Sequence, residues 1–145
     1  MPTNIRPMEK KDKEEVLSMM REFYASPAVF TAGSEDIFLA DIEQCVGGSP
    51  YLEGYVFWDG EAIQGYGMVA KSFSTEFGKP CIWIEDLFLK SDCRGKGIGQ
   101  QFLAFVEAKF PHAILRLEVE AENQAAVHVY QKRGFTFLPY LEMKK

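Results

Sequence analysis

An α/β (α+β) fold, with a mixed but mostly antiparallel sheet and helices on both faces, is predicted by three features of this sequence. Two strand-like runs flank Asp59-Gly60 and read as an antiparallel hairpin. Farther along, a strand, a helix and another strand follow in close succession, the pattern of a parallel crossover. Amphipathic helical patterns lie both before and after these strands, enough to cover both faces of the sheet.

The elements are expected in the order β-α-α-β-β-β-α-β-α-β. "NIRPM" is a short strand stopped by Pro7. Asp12, with Glu15 three residues later, makes a capping box for a helix to about Tyr24 that faces Val16, Met20 and Phe23 one way. Ser34 caps a second helix, with Phe38, Ile42 and Cys45 on one face and Gly47-Gly48 at its end. The hairpin is "YLEGYVFW", the Asp59-Gly60 turn and "EAIQGYGMVAKSF", and "CIWIEDLFL" is the next strand. A helix over residues 97–110 then aligns Ile98, Phe102, Phe105 and Val106 before Pro111 ends it. "AILRLEVE" is a strand with Leu115, Leu117 and Val119 on one side. In "NQAAVHVYQKRG", Asn123 caps and Gly134 terminates a short helix. "FTFLPYLEM" supplies the last strand.

With 145 residues, 47% hydrophobic and 26% charged, the chain is sized for one domain, residues 1–145, with a substantial core. A net charge of -5, with no stretch concentrating Lys and Arg, disfavours nucleic acid as a partner. No apolar run approaches the roughly 20 residues of a membrane span, and a polar run over residues 9–15 makes residues 1–6 unlike a signal peptide. A cytoplasmic protein without a membrane partner is expected. Cys45, Cys81 and Cys93 are odd in number and lack C-x-x-C spacing, and His112 and His128 have no spaced partner. Neither a disulfide framework nor a metal site is expected.

Function concentrates in "CRGKGIGQQFLAFVEAKF". Gly95, Gly97 and Gly99 alternate directly ahead of a helix, with Arg94 and Lys96 among them. Free amides at a helix start, the helix dipole and bare glycine backbone suit a bound anion. A turn of glycines that merely packs strand on helix is the plain alternative; three glycines with two cations favour the anion. An ATP- or GTP-binding loop needs Gly-Lys followed by Ser or Thr, whereas Gly97 follows Lys96. A dinucleotide fingerprint needs G-x-G-x-x-G, whereas the spacing here is G-x-G-x-G; Glu118 and Glu120 lie near the downstream distance that motif requires, so it stays as a weaker alternative.

"RGKGIG" resembles the R/Q-x-x-G-x-G/A pyrophosphate loop of the GNAT superfamily of N-acetyltransferases. "NQAAVHVYQKRGF", residues 123–135, is similar to that family's C-terminal motif, and the order of elements resembles its fold along essentially the full chain. The resemblance implies one N-acetyltransferase domain with acetyl-CoA as donor and no metal. Its diphosphate would lie on Arg94, Gly95, Lys96, Gly97, Ile98, Gly99 and Gln100. Its pantetheine arm would pair with the edge of Leu87, Phe88 and Leu89, where the strands "LFL" and "AILRLEVE" splay apart. Asn123 and Ala126 would complete the cofactor site. Independently, an amide-bearing arm suits a sheet edge, and a diphosphate suits the helix start beyond it.

Acyl transfer from a thioester to an amine needs a neutral nucleophile, a donor for the developing oxyanion and a proton for the leaving thiolate. Glu85, at a strand end beside the proposed cofactor edge, is a candidate base; on the residues alone, Glu85 and Asp86 read equally well as solvated or salt-bridged carboxylates. Alternation points the two to opposite faces, so they do not address one amine together. The resemblance favours Glu85. Tyr130, two helical turns after Asn123, reads alone as a core aromatic; its place in the family motif makes it the candidate acid. The oxyanion donor would be the Leu87 amide. Cys93, beside the loop, is read as packing rather than nucleophilic.

Within the superfamily, "FSTEFGKPCIWIEDLFLKSDCRGKGIG" most resembles the diamine branch, the polyamine and thialysine acetyltransferases. That implies direct transfer, in a ternary complex, to a primary amine of a small cationic acceptor. The alternatives are an amino acid, peptide or protein amine as acceptor, or a non-catalytic acyl-CoA-binding module. Residues 24–34 would carry acceptor specificity. The resemblance also implies a homodimer, to which the aromatics of "GFTFLPYL" are suited.

Overall fold

A computed structural model describes residues 2–145. In chain order the elements are β1 (Asn4–Pro7), α1 (Lys13–Tyr24), α2 (Glu35–Val46), β2 (Leu52–Trp58), β3 (Ile63–Ser74), β4 (Lys79–Leu89), α3 (Ile98–Lys109), β5 (Ile114–Leu117) and α4 (Gln124–Lys132). The strands form one sheet in sequential order, antiparallel from β1 to β4, with β5 parallel to β4. The β2–β3 connection is tight because the Asp59 carboxylate accepts from the Glu61 and Ala62 amides, at 2.8 and 2.9 Å, and Gly60 takes a positive φ of 101°.

Strand alternation sorts the core onto the two faces of the sheet. Val56, Tyr66, Met68 and Phe88 pack with Val16, Met20, Phe38 and Ile42 of α1 and α2. Tyr55, Phe57, Val69, Ile82 and Ile84 pack with Ile98, Phe102, Leu103 and Val106 of α3, and Val129 and Tyr130 of α4 flank them. Helices therefore cover both faces, as the sequence predicts.

Two expectations are corrected. The capping box sits one turn earlier than Asp12 and Glu15: Glu9 and Asp12 cap a short 3-10 turn over Lys10–Asp12 that leads into α1. Asp12 is drawn inward, 3% exposed, because the Arg6 guanidinium grips both its oxygens at 2.8 and 2.9 Å while the Glu9 amide donates to it at 2.8 Å. The second correction is the final strand, since residues 135–145 pair with no strand. Pro139 lacks a ladder donor, and the neighbouring β5 is only four residues long. The order is therefore β-α-α-β-β-β-α-β-α.

Candidate active site

The site is built along β4. Residues 81–84 of β4 pair with residues 114–117 of β5, and beyond Ile84 no β5 residue lies opposite. The edge of Leu87, Phe88 and Leu89 on the β5 side is thus open, while Gly67, Tyr66 and Gly65 of β3 hold its other side. Gly65 is small for a reason: a Cβ there would lie 2.2 Å from the Phe88 carbonyl oxygen.

A β-bulge in β4 sets the chemistry of this edge. Val69 pairs with Ile84 and Met68 with Asp86, so Glu85 is an extra residue with no β3 partner. Strict alternation would put Asp86 and Phe88 on the same face as Ile82 and Ile84. The bulge reverses the phase: Phe88 joins the core under α1 and α2, whereas Leu87 and Leu89 join the one under α3. Glu85 is left exposed and Asp86 is 4% exposed. The two carboxylates do diverge, but through the bulge rather than through simple alternation.

Asp86 has no cation within ion-pair distance among the described residues; the Tyr24 and Tyr66 hydroxyls donate to its two oxygens at 3.0 and 2.7 Å. Burial raises its pKa and the two phenols partly offset that. Asp41 of α2, half-buried, is pushed up to about 6 by burial and by Asp86. Although its side chain reaches solvent, Glu85 is raised by partial desolvation and then by Asp86, Asp41 and Glu142. Tyr66 and Asp41 were not legible as site residues, and Tyr24 only as the first residue of the acceptor loop, because nothing local in the sequence marks side chains that converge from α1, β3 and α2.

The glycine loop takes the form the sequence predicts. Gly95 and Gly97 have φ of +75° and +83°, in the left-handed region that favours glycine. At Gly95, Gly97 and Gly99 an added Cβ would meet nothing within 4 Å, so all three face open space. The first helical bond of α3 runs from the Gln101 amide to the Gly97 carbonyl at 3.0 Å. The amides of Ile98, Gly99 and Gln100 therefore have no acceptor within the helix. The Arg94 side chain folds back, donating to the Leu89 carbonyl at 2.9 Å and lying over the Phe88 ring. The Gln100 carboxamide donates to the Val129 carbonyl at 2.9 Å, tying α3 to α4. An open strand edge leading into an amide-rich, glycine-bare helix start fits a thioester cofactor with an amide arm and a diphosphate.

On α4, the Asn123 carboxamide accepts from the Ala126 amide at 3.3 Å, so the expected N-cap is formed. Tyr130 is half-buried, its ring 5.8 Å from that of Phe135, and it lines a groove of about 550 Å³ between β5, α4 and the C-terminal segment. Burial pushes its phenol up to about 12. Among the described residues its hydroxyl has no hydrogen-bond partner. Cys93 packs against the α3 core, and burial together with Asp92 raises its thiol, the opposite of an activated thiolate.

This fold and this site define an acyl-CoA-dependent transferase class, and comparison gives the family. The model of the acetyltransferase (GNAT) family matches residues 16–135, and the chain belongs to that family. It is an acetyl-CoA-dependent N-acetyltransferase, and acetyl-CoA is its co-substrate. Among solved structures, the aminoglycoside acetyltransferase AAC(6')-Iy in complex with a CoA bisubstrate analogue of acetylneamine is 17% identical, with TM-score 0.82 over 100% of this chain and 98% of that one. A possible acetyltransferase from Clostridium difficile 630 is 15% identical, with TM-score 0.84 over 100% of this chain and 97% of its own. A putative acetyl transferase from Pyrococcus furiosus is 20% identical, with TM-score 0.73 over 99% of each chain.

Proposed function

We propose that this N-acetyltransferase, one domain over residues 1–145, transfers acetyl to a primary amine of a small cationic acceptor such as a diamine, polyamine or lysine-like compound. The observation that carries this reading is the gathering of Glu85, Asp86 and Asp41 at the β4 bulge with no ion pair among the described residues. A cationic acceptor would supply the missing countercharge. AAC(6')-Iy, an aminoglycoside N-acetyltransferase, is a structural neighbour, and aminoglycosides are themselves polyamines; their amines join the acceptor class.

In this reading Arg94 to Gln100 hold the diphosphate through backbone amides, with Lys96 adding charge, and Leu87, Phe88 and Leu89 pair with the pantetheine arm. The bound thioester supplies the activated acetyl group. Glu85 takes the amine proton, directly or through water. The Leu87 amide donates to the developing oxyanion, and Tyr130 returns a proton to the thiolate. Asn123 and Ala126 act by starting α4 and so placing Tyr130. The three free thiols suit a reducing cytoplasm. Exposed Phe137, Tyr140, Leu141 and Met143 suit a homodimer, which light scattering would test.

Thiol release from acetyl-CoA across diamines, polyamines, lysine analogues, aminoglycosides, neutral amino acids and peptides tests the acceptor class. The cationic small amines are expected to give the highest kcat/KM. Turnover confined to a neutral amino acid or a peptide would refute this class.

A further inference from the structure

The Asp86 carboxylate is almost wholly enclosed, and an enclosed carboxylate without a cation is costly to keep ionised. An apolar residue would fill the same space without that cost. What the carboxylate provides is a bridge between two elements. Tyr66, wholly buried in β3, donates to Oδ2 at 2.7 Å; Tyr24, the last residue of α1, donates to Oδ1 at 3.0 Å. Residues 25–34 leave α1 directly after Tyr24, and they hold no helix or strand before α2. The Tyr24 ring also sits 5.1 Å from Phe38 of α2, just past that loop. On the other side of the bridge, Asp86 is the next residue after the bulged Glu85.

We propose that Asp86 and Tyr24 form a positioning pair for the transfer: they tie the start of the acceptor-side loop to the β4 bulge, and they hold a fixed negative charge beside Glu85. The pair touches neither donor nor acceptor. Its effect on Glu85 adds to that of Asp41 from α2 and of Glu142 in the C-terminal segment, while Glu85 in turn raises Glu118 just past β5. The inference rests on Glu85 serving as the base in the function proposed above.

Two readouts taken without any acceptor test it. Carbon-13 labelling of the glutamate carboxyls, with the Glu85 signal assigned by its loss in Glu85→Gln, follows the Glu85 titration. Asp86→Asn keeps an oxygen acceptor and removes the charge, so the midpoint is expected to fall by roughly 0.5–1 pH unit. Tyr24→Phe leaves the charge and the Tyr66 bond in place. Amide hydrogen exchange over residues 25–34 is expected to rise about tenfold, the worth of one hydrogen bond to a charged group. An unmoved midpoint in folded Asp86→Asn, or unchanged loop exchange in Tyr24→Phe, overturns the proposal; should Asp86→Asn not fold, the Tyr24→Phe exchange alone decides. Absence of amine turnover would instead sink the proposed function while leaving both readouts as they are.

Discussion

Glu85 and Asp86 are adjacent in sequence and opposite in environment: the first is exposed at an unpaired bulge position, the second is 4% exposed beneath two tyrosine hydroxyls. Desolvation first, and then the carboxylates of Asp86, Asp41 and Glu142, raise the Glu85 pKa above its ordinary value. As a base it must be unprotonated, so kcat/KM is expected to rise with pH through a raised Glu85 pKa. Glu85→Gln is expected to lower kcat/KM by about 100-fold or more and to erase that limb. The limb set by the acceptor amine, with a pKa near 10 for an alkyl ammonium, is expected to persist in both. Identical profiles in the two proteins would exclude Glu85 as the base.

Gly99 lies inside the first turn of α3 with open space where a Cβ would stand. Gly99→Ala is expected to leave stability unchanged or raise it by roughly 0.5–1 kcal/mol, because alanine favours a helix. In the proposed function the same methyl would stand in the approach of the diphosphate to the helix start, so KM for acetyl-CoA is expected to rise about tenfold, or 1.4 kcal/mol. Calorimetric titration with CoA beside thermal unfolding separates the two effects. Unaltered CoA affinity would place the diphosphate elsewhere.

The β3–β4 contact that supports the open edge depends on Gly65. A methyl at that position would lie 2.2 Å from the Phe88 carbonyl oxygen and 2.9 Å from Leu89 Cδ2. Gly65→Ala is expected to cost about 1–3 kcal/mol through overpacking, and to lower the thermal midpoint by several degrees. A native-like midpoint would mean the strands separate there without penalty.

Arg6 and Asp12 form a partly buried pair that fastens β1 to the start of α1. Burial opposes ionisation of Asp12, but Arg6 and the Glu9 amide outweigh it and hold its pKa below the ordinary value. A carboxylate depressed in the folded state contributes stability above its unfolded pKa, near 3.9, and loses it as pH falls through the folded value. Arg6→Ala strands the carboxylate and is expected to cost about 3 kcal/mol at pH 7. Urea unfolding at several pH values is expected to show the gap from native narrowing below about pH 4. A gap that stays constant would assign the loss to packing rather than charge.

The sequence carried most of the architecture because it lies in local signals. The Asp59-Gly60 turn, the Ser34 and Asn123 caps and the helical stripe from Ile98 to Val106 all follow from neighbours a few residues apart. The glycine loop was legible for the same reason. Four features were not. The Glu85 bulge is set by a register against β3, which no spacing within β4 reveals. The Asp86 cluster joins residues 20 and 62 positions apart. The Asp12 cap was misplaced because a distant-looking Arg6 captures that carboxylate. The final strand was expected from the apolar run "FTFLPYL", and Pro139 with the short β5 defeats it.

The most direct test of the account is amine-dependent thiol release from acetyl-CoA by the native protein beside Tyr130→Phe, with CoA affinity measured for both. The Tyr130 hydroxyl is free of protein partners among the described residues and lines the groove beside β5. Release is expected to depend on a cationic amine, and kcat to fall about 100-fold in Tyr130→Phe at unchanged CoA affinity. Equal turnover by the two proteins, or no amine-dependent release by the native one, would contradict it.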